Sequence, residues 1–162
     1  MPAIVAVICI AVLSAAFLVK RARDRALLDK HSITAEDLHS LLAAKHDVSV
    51  YDVRLPLDLL SNSVVIPGAK RLAPEEVMEN PSLIPIDRDA IVYCTCPSDE
   101  TSRAILHRAL SLGHMRIKFL RGGLDGWKTR GYPVETYDKP FHLSTGKKNG
   151  AAARSQATGN RE

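Results

Sequence analysis

Ile91-Val92-Tyr93-Cys94-Thr95-Cys96-Pro97-Ser98-Asp99-Glu100-Thr101-Ser102 is the stretch on which the fold of this chain turns. A short β-branched run ends in cysteine, a compact polar loop follows, and a helix starts straight after it. A thiol at the carboxyl end of a parallel strand, facing the N-terminus of the next helix, lies where α/β proteins do chemistry. The unpaired amide N–H groups and positive dipole end of that helix stabilise a thiolate, or an anion derived from it. Cysteine chemistry is therefore the leading expectation.

Outward from this loop, strand and helix patterns alternate. Thr34 caps a helix with Glu36 and Asp37 in its first turn and an apolar stripe of Leu38, Leu41 and Leu42. Residues 48–53 read as a strand with a polar end at Asp52 and Arg54. A long connection over 54–68 closes in Ile66-Pro67-Gly68-Ala69, and Lys70 to Leu72 is extended. Pro74 takes the first position of a short helix, and Pro81 and Pro85 mark a loop. Ala90 to Tyr93 is a buried strand. Thr101 to Leu112 is a helix with Ile105, Ala109 and Leu112 at the helical period, widened by Leu106 and Leu110. Gly113 stops it, a strand over 116–120 follows, and a last helix around 124–129 carries Trp127. This alternation predicts an α/β fold with a central parallel sheet and helices on both faces.

The ends differ from the middle. Ala3 to Val19 has no charged residue and, at about 1.5 Å per residue, reaches about 26 Å, near the lower limit for crossing a bilayer. Lys20, Arg21, Arg23 and Arg25 follow at once, which places the C-terminal side in the cytoplasm. A cleaved signal peptide would carry its positive charge before the apolar run, although Ser14-Ala15-Ala16 is small enough for cleavage. The expected organisation is a transmembrane anchor over 1–20, a basic juxtamembrane segment over 21–30, one domain over 31–137 and a disordered tail over 138–162. The expected place is the bacterial inner membrane, crossed once, with the domain cytoplasmic.

Net charge is +4, but 31–138 holds 12 basic and 15 acidic side chains, so the basic character belongs to the ends. With no basic face interleaved with aromatics, nucleic-acid binding is not expected. The three cysteines, at 9, 94 and 96, form no disulfide framework.

Four landmarks in order resemble the rhodanese-like family over roughly 31–137. They are Asp52-Val53-Arg54, Ile66-Pro67-Gly68-Ala69, the strand into the cysteine loop, and Leu120 to Trp127 with Gly131-Tyr132-Pro133-Val134. The Cys-x-Cys-Pro loop followed by acids is similar to rhodanese domains attached to bacterial DedA-type membrane proteins. The resemblance implies sulfur transfer through a cysteine persulfide, with no metal or organic cofactor. The implied partners are a small sulfur donor, or a protein persulfide and thiol acceptor.

Two counts disagree on the nucleophile. Cys94 follows the strand tyrosine directly, as the family's nucleophile often does. Cys96 lies at the usual separation from Gly122-Gly123, with five loop residues before Ser102, and is preferred here. Pro97 complicates that choice, because it removes an amide donor next to the sulfur. The loop 97–102 also departs from the family by carrying Asp99 and Glu100, which raise a thiolate's pKa and repel an anionic donor. Arg103 offsets them if it points inward. Val65 stands where a histidine often precedes the Ile-Pro-Gly turn.

Competing readings are weaker. A metal site would need His107 and His114 beside the two thiols, without zinc spacing. A Cys94–Cys96 redox pair makes a strained ring, and both thiols could be inert core. A phosphatase needs arginine six positions after the nucleophile, where Glu100 or Ser102 stands. A non-catalytic partner-binding module is the main rival, favoured by the acidic loop. Asp52 and Arg54 are expected to tie loops together, Trp127 to pack the core, and Gly122 and Gly123 to make a tight turn near the site.

Overall fold

The computed structural model describes residues 2–96 and 98–138, with side chains from residue 10 onward. Five strands form one all-parallel sheet: β1 (Ser32–Ile33), β2 (Val48–Asp52), β4 (Lys70–Arg71), β5 (Asp89–Tyr93) and β6 (Ile117–Leu120). Their spatial order is β1-β6-β5-β2-β4, so β5, which leads into the cysteine loop, lies at the centre. A separate ribbon pairs β3 (Val64–Val65) antiparallel with β7 (Glu135–Thr136).

β5 is buried on both faces because its alternate side chains feed two cores. Ala90 and Val92 point toward α4 (Pro74–Glu79) and α5 (Glu100–Ser111), among Val77, Ile105, Leu106 and Ala109. Ile91 and Tyr93 point the other way, toward α2 (Ala35–Ala43) and α6 (Gly123–Thr129), among Leu38, Leu124 and Trp127. The two-faced parallel sheet expected from the sequence is therefore present. The Thr34 hydroxyl caps α2 by accepting the Asp37 amide at 3.1 Å. Leu112 is a departure: it falls at the end of α5 and is 49% exposed, because the helical stripe ends one turn earlier.

The connection 54–68 is not continuous loop. It holds α3 (Pro56–Ser61) and β3, and Arg54 organises it. The Arg54 guanidinium donates to both Asp52 carboxylate oxygens, at 2.6–3.0 Å, and to the carbonyls of Asn62 and Val64 at 2.8 and 2.9 Å. Both charged side chains are 0% exposed.

The N-terminal element α1 (Pro2–Lys30) is one long helix. The basic segment expected as a separate juxtamembrane stretch belongs partly to the domain. Leu28 packs into the core, Asp29 pairs with Arg121 at 2.7 Å, and the His31 ring bonds the Ile117 carbonyl at 3.0 Å. Among the described residues, no helix is long and apolar enough to cross a membrane. This corrects the expected spanning segment over 1–20 as far as it is described: from Ile10 the apolar run is ten residues long before Lys20, Arg21, Arg23, Asp24 and Arg25 interrupt it, too short to cross. The side chains of residues 2–9, and the tail from 139, lie outside the described residues.

Cutting Arg54 back to Ala strands a buried carboxylate. A loss of about 3–5 kcal/mol is expected in urea unfolding, and Asp52→Leu with Arg54→Leu together should recover part of it.

Candidate active site

The loop after β5 is clamped from beside by the turn between β6 and α6. Gly122 and Gly123 both take left-handed backbone angles, φ +71° and +49°. At Gly123 any Cβ would lie 1.9 Å from the Cys94 carbonyl oxygen, so only glycine fits. That same carbonyl accepts the Leu124 amide at 3.0 Å. The glycine pair singled out in the sequence thus sets how closely the two turns approach.

The two thiols occupy different surroundings. Cys94 is 0% exposed, at the strand end, while Cys96 is partly exposed and its sulfur lies 3.3 Å from the Thr101 hydroxyl. Burial pushes the Cys94 thiol up; the Ser102 hydroxyl and amide and the Cys96 amide pull it down, and the neighbouring Cys96 sulfur pushes it up again. Burial is the largest of these, and the balance holds the Cys94 thiol above its ordinary value. The Ser102 hydroxyl is buried and has no fully formed hydrogen bond, which leaves Cys94 as its neighbour of consequence.

Asp99 latches the loop. Its backbone is left-handed (φ +53°) at the start of α5, and its amide donates to the Cys96 carbonyl at 3.0 Å. One carboxylate oxygen accepts the Gly122 amide at 3.0 Å, and the other is buried without a partner. Burial pushes this carboxyl above the usual range, partly offset by the Gly122 amide and the Arg103 charge. Sequence reasoning took Asp99 as a repulsive charge and missed this tie. Arg103 donates to the Ser98 carbonyl at 3.2 Å, and its charge acts on the Asp99 carboxyl.

The supporting pair Asp52 and Arg54 sits under the neighbouring strand end. There the Val53 amide donates to the Tyr93 carbonyl at 2.9 Å, joining β2 to the strand that carries the thiols. The Tyr93 hydroxyl accepts the Ile66 amide at 3.3 Å, which ties in the Ile-Pro-Gly turn, and burial raises this phenol's pKa. Trp127 is buried, donates to the Pro133 carbonyl at 2.8 Å and tilts against Tyr132. Glu100 opens α5. Pro97 lies outside the described residues. Among the described residues, no three His, Cys, Asp or Glu side chains gather as a metal site.

Comparison with known proteins agrees with this architecture. The family model of the rhodanese-like domain matches residues 34–130. A protein of Allochromatium vinosum named sulfurtransferase is 32% identical over 104 residues, which is 64% of this chain and 94% of that protein. A rhodanese-related protein of Thermoplasma volcanium superposes with a TM-score of 0.53 at 28% identity, covering 65% of this chain and 97% of its own. A Lactobacillus plantarum structure gives a TM-score of 0.62 at 22% identity, over 72% of this chain and 97% of its own, a likeness of fold alone. The chain is an α/β protein whose thiol loop is held against a parallel sheet by a glycine turn. It belongs to the rhodanese-like family.

Two substitutions probe the clamp and the latch. Gly123→Ala should destabilise by about 3 kcal/mol or more and expose Cys94 to a thiol reagent, against about 1 kcal/mol for Gly131→Ala, which meets open space. A carboxyl with a raised folded pKa binds its proton more tightly folded than unfolded. Its contribution to stability is therefore lost as pH rises from about 3.9, the ordinary Asp value, through the folded value. Asp99→Asn should not show that loss, so its melting temperature should gain on the parent's between pH 4 and pH 7 on the order of a few degrees.

Proposed function

We propose that this protein is a sulfurtransferase with Cys96 as the sulfur-carrying nucleophile. The observation that carries this reading is the contrast between the two thiols: Cys96 reaches solvent from the loop, whereas Cys94 is sealed in the core. The Cys96 thiolate attacks the outer sulfur of a donor, the donor's S–S bond breaks, and its inner fragment leaves with the electron pair. The resulting persulfide anion lies at the start of α5, a twelve-residue helix whose first amides and dipole favour negative charge. An acceptor thiol then takes the outer sulfur and frees Cys96. Asp99 and Glu100 disfavour a dianionic donor such as thiosulfate, so a neutral or protein-bound persulfide is the preferred source.

The N-terminal helix supports a membrane-linked role. Ile10, Val12, Leu13, Phe17 and Leu18 are each more than 60% exposed on the stretch of helix before Lys20, which carries no charge and calls for an apolar environment. Lys20, Arg21, Arg23 and Arg25 suit an anionic cytoplasmic leaflet. Tethering at the cytoplasmic face of a bacterial cell membrane would raise the local concentration of a donor or acceptor there. The acidic loop is the feature that favours a rival, a non-catalytic partner-binding module.

Incubating the full chain with a persulfide donor and reading its intact mass decides between them. Gain of one sulfur atom is expected, retained in Cys94→Ser and abolished in Cys96→Ser. No adduct with any donor favours the binding module, and loss of two hydrogens instead favours a Cys94–Cys96 redox pair.

A further inference from the structure

Beside the cysteine loop, on the side where α1 joins the domain, lies an open cleft of about 390 Å³. Its polar lining comes from three separate parts of the chain: Arg25 and Asp29 of α1, Asp99 and Arg103 at the start of α5, and Arg121 after β6. Leu28 and Phe119 make an apolar floor. Arg25 and Asp29 lie outside residues 34–130, so the rhodanese-like domain alone would leave this cleft without one wall.

Most of the hydrogen-bonding capacity of the three guanidinium groups is uncommitted. Each carries five N–H donors. Arg103 spends one on the Ser98 carbonyl at 3.2 Å, and Arg121 spends two, on Asp29 at 2.7 Å and Ser32 at 2.8 Å. Arg25 makes no hydrogen bond or ion pair among the described residues. On the acidic side, the Asp29 carboxylate is 72% exposed and open to a second partner. Both signs of charge therefore face one small volume, with one cation in excess.

We propose that this cleft holds the head group of the sulfur acceptor, a small thiol bearing an α-amino-carboxylate. The carboxylate pairs with Arg25 and Arg103 in forked geometry, the ammonium pairs with Asp29, and the apolar floor takes the short chain that carries the thiol. A phosphate dianion fits less well, because two carboxylates line the same space. The inference rests on the sulfurtransferase reading and names its acceptor class. Neither cysteine lines the cleft, but Asp99 does and its amide donates to the Cys96 carbonyl at 3.0 Å, which sets the cleft beside the sulfur. In the step it serves, the acceptor thiol sulfur bonds to the outer sulfur of the Cys96 persulfide. The Cys96 S–S bond breaks, its electron pair stays as the Cys96 thiolate, and the acceptor's proton stays with the new persulfide. No oxidant or reductant is consumed.

Binding and turnover are measured separately, on the full chain. S-methyl-L-cysteine, which cannot react, should bind about tenfold more tightly than S-methylcysteamine, the size of one charge-assisted pair. Arg25→Gln and Arg103→Gln should each remove most of that preference. Arg23→Gln, exposed on the same helix and outside the cleft, should keep it. With persulfide-loaded protein, the kcat/KM advantage of L-cysteine over cysteamine should shrink in the same two variants through KM rather than kcat. Equal binding of the two methylated compounds, or a preference that survives both substitutions, overturns the proposal. Failure of the persulfide to form would instead overturn the sulfurtransferase reading, while the binding comparison still judges the cleft.

Discussion

The backbone contact between the turn at Gly122-Gly123 and the end of β5 is the constraint on which the site depends. The Cys94 carbonyl is held by the Leu124 amide at 3.0 Å and pressed against a residue with no room for a Cβ. Asp99 closes the same clamp from the loop side by accepting the Gly122 amide. With the loop pinned at both points, Cys94 turns inward as the end of the strand, and Cys96 is carried out to the surface two residues later. Among the described residues from 95 to 102, only Ser102 at the start of α5 is buried.

Beneath this clamp, two buried polar arrangements share the work of aligning the strand ends. The Asp52–Arg54 pair satisfies itself and two loop carbonyls without solvent, which makes it costly to break and poorly placed for proton transfer. The Tyr93 hydroxyl holds the Ile-Pro-Gly turn by the same logic. Neither reaches the thiols with a polar atom; both keep β2, β5 and the 54–68 connection in register.

The N-terminal helix has two characters along its length. Its outer described part is apolar and exposed, suited to lipid or to an apolar partner. Its last turns are domain: Leu28 is in the core, and Arg25 and Asp29 wall a cleft against the loop. A helix that is rigidly continuous across both parts would hold the sulfur site at a set distance from whatever covers its apolar part.

The layered architecture was legible in the order of the residues alone, because local signals and burial pattern agreed. β-branched strands buried on both faces, the Thr34 cap, the Gly113 stop and the glycine pair each follow from short-range physics. The site's components were legible as residue types for the same reason: a cysteine loop between a buried strand and a helix start. The rest depends on contacts between residues distant in sequence, which exist only once the chain has folded. The inward turn of Cys94 is set by Leu124, the latch role of Asp99 by Gly122, and the organisation of residues 54–68 by a buried guanidinium that composition does not reveal. The cleft is the extreme case, since residues 25, 103 and 121 come together only when α1 packs on the sheet. Periodicity reports which face of an element is buried; it carries no information on which distant backbone groups will meet there.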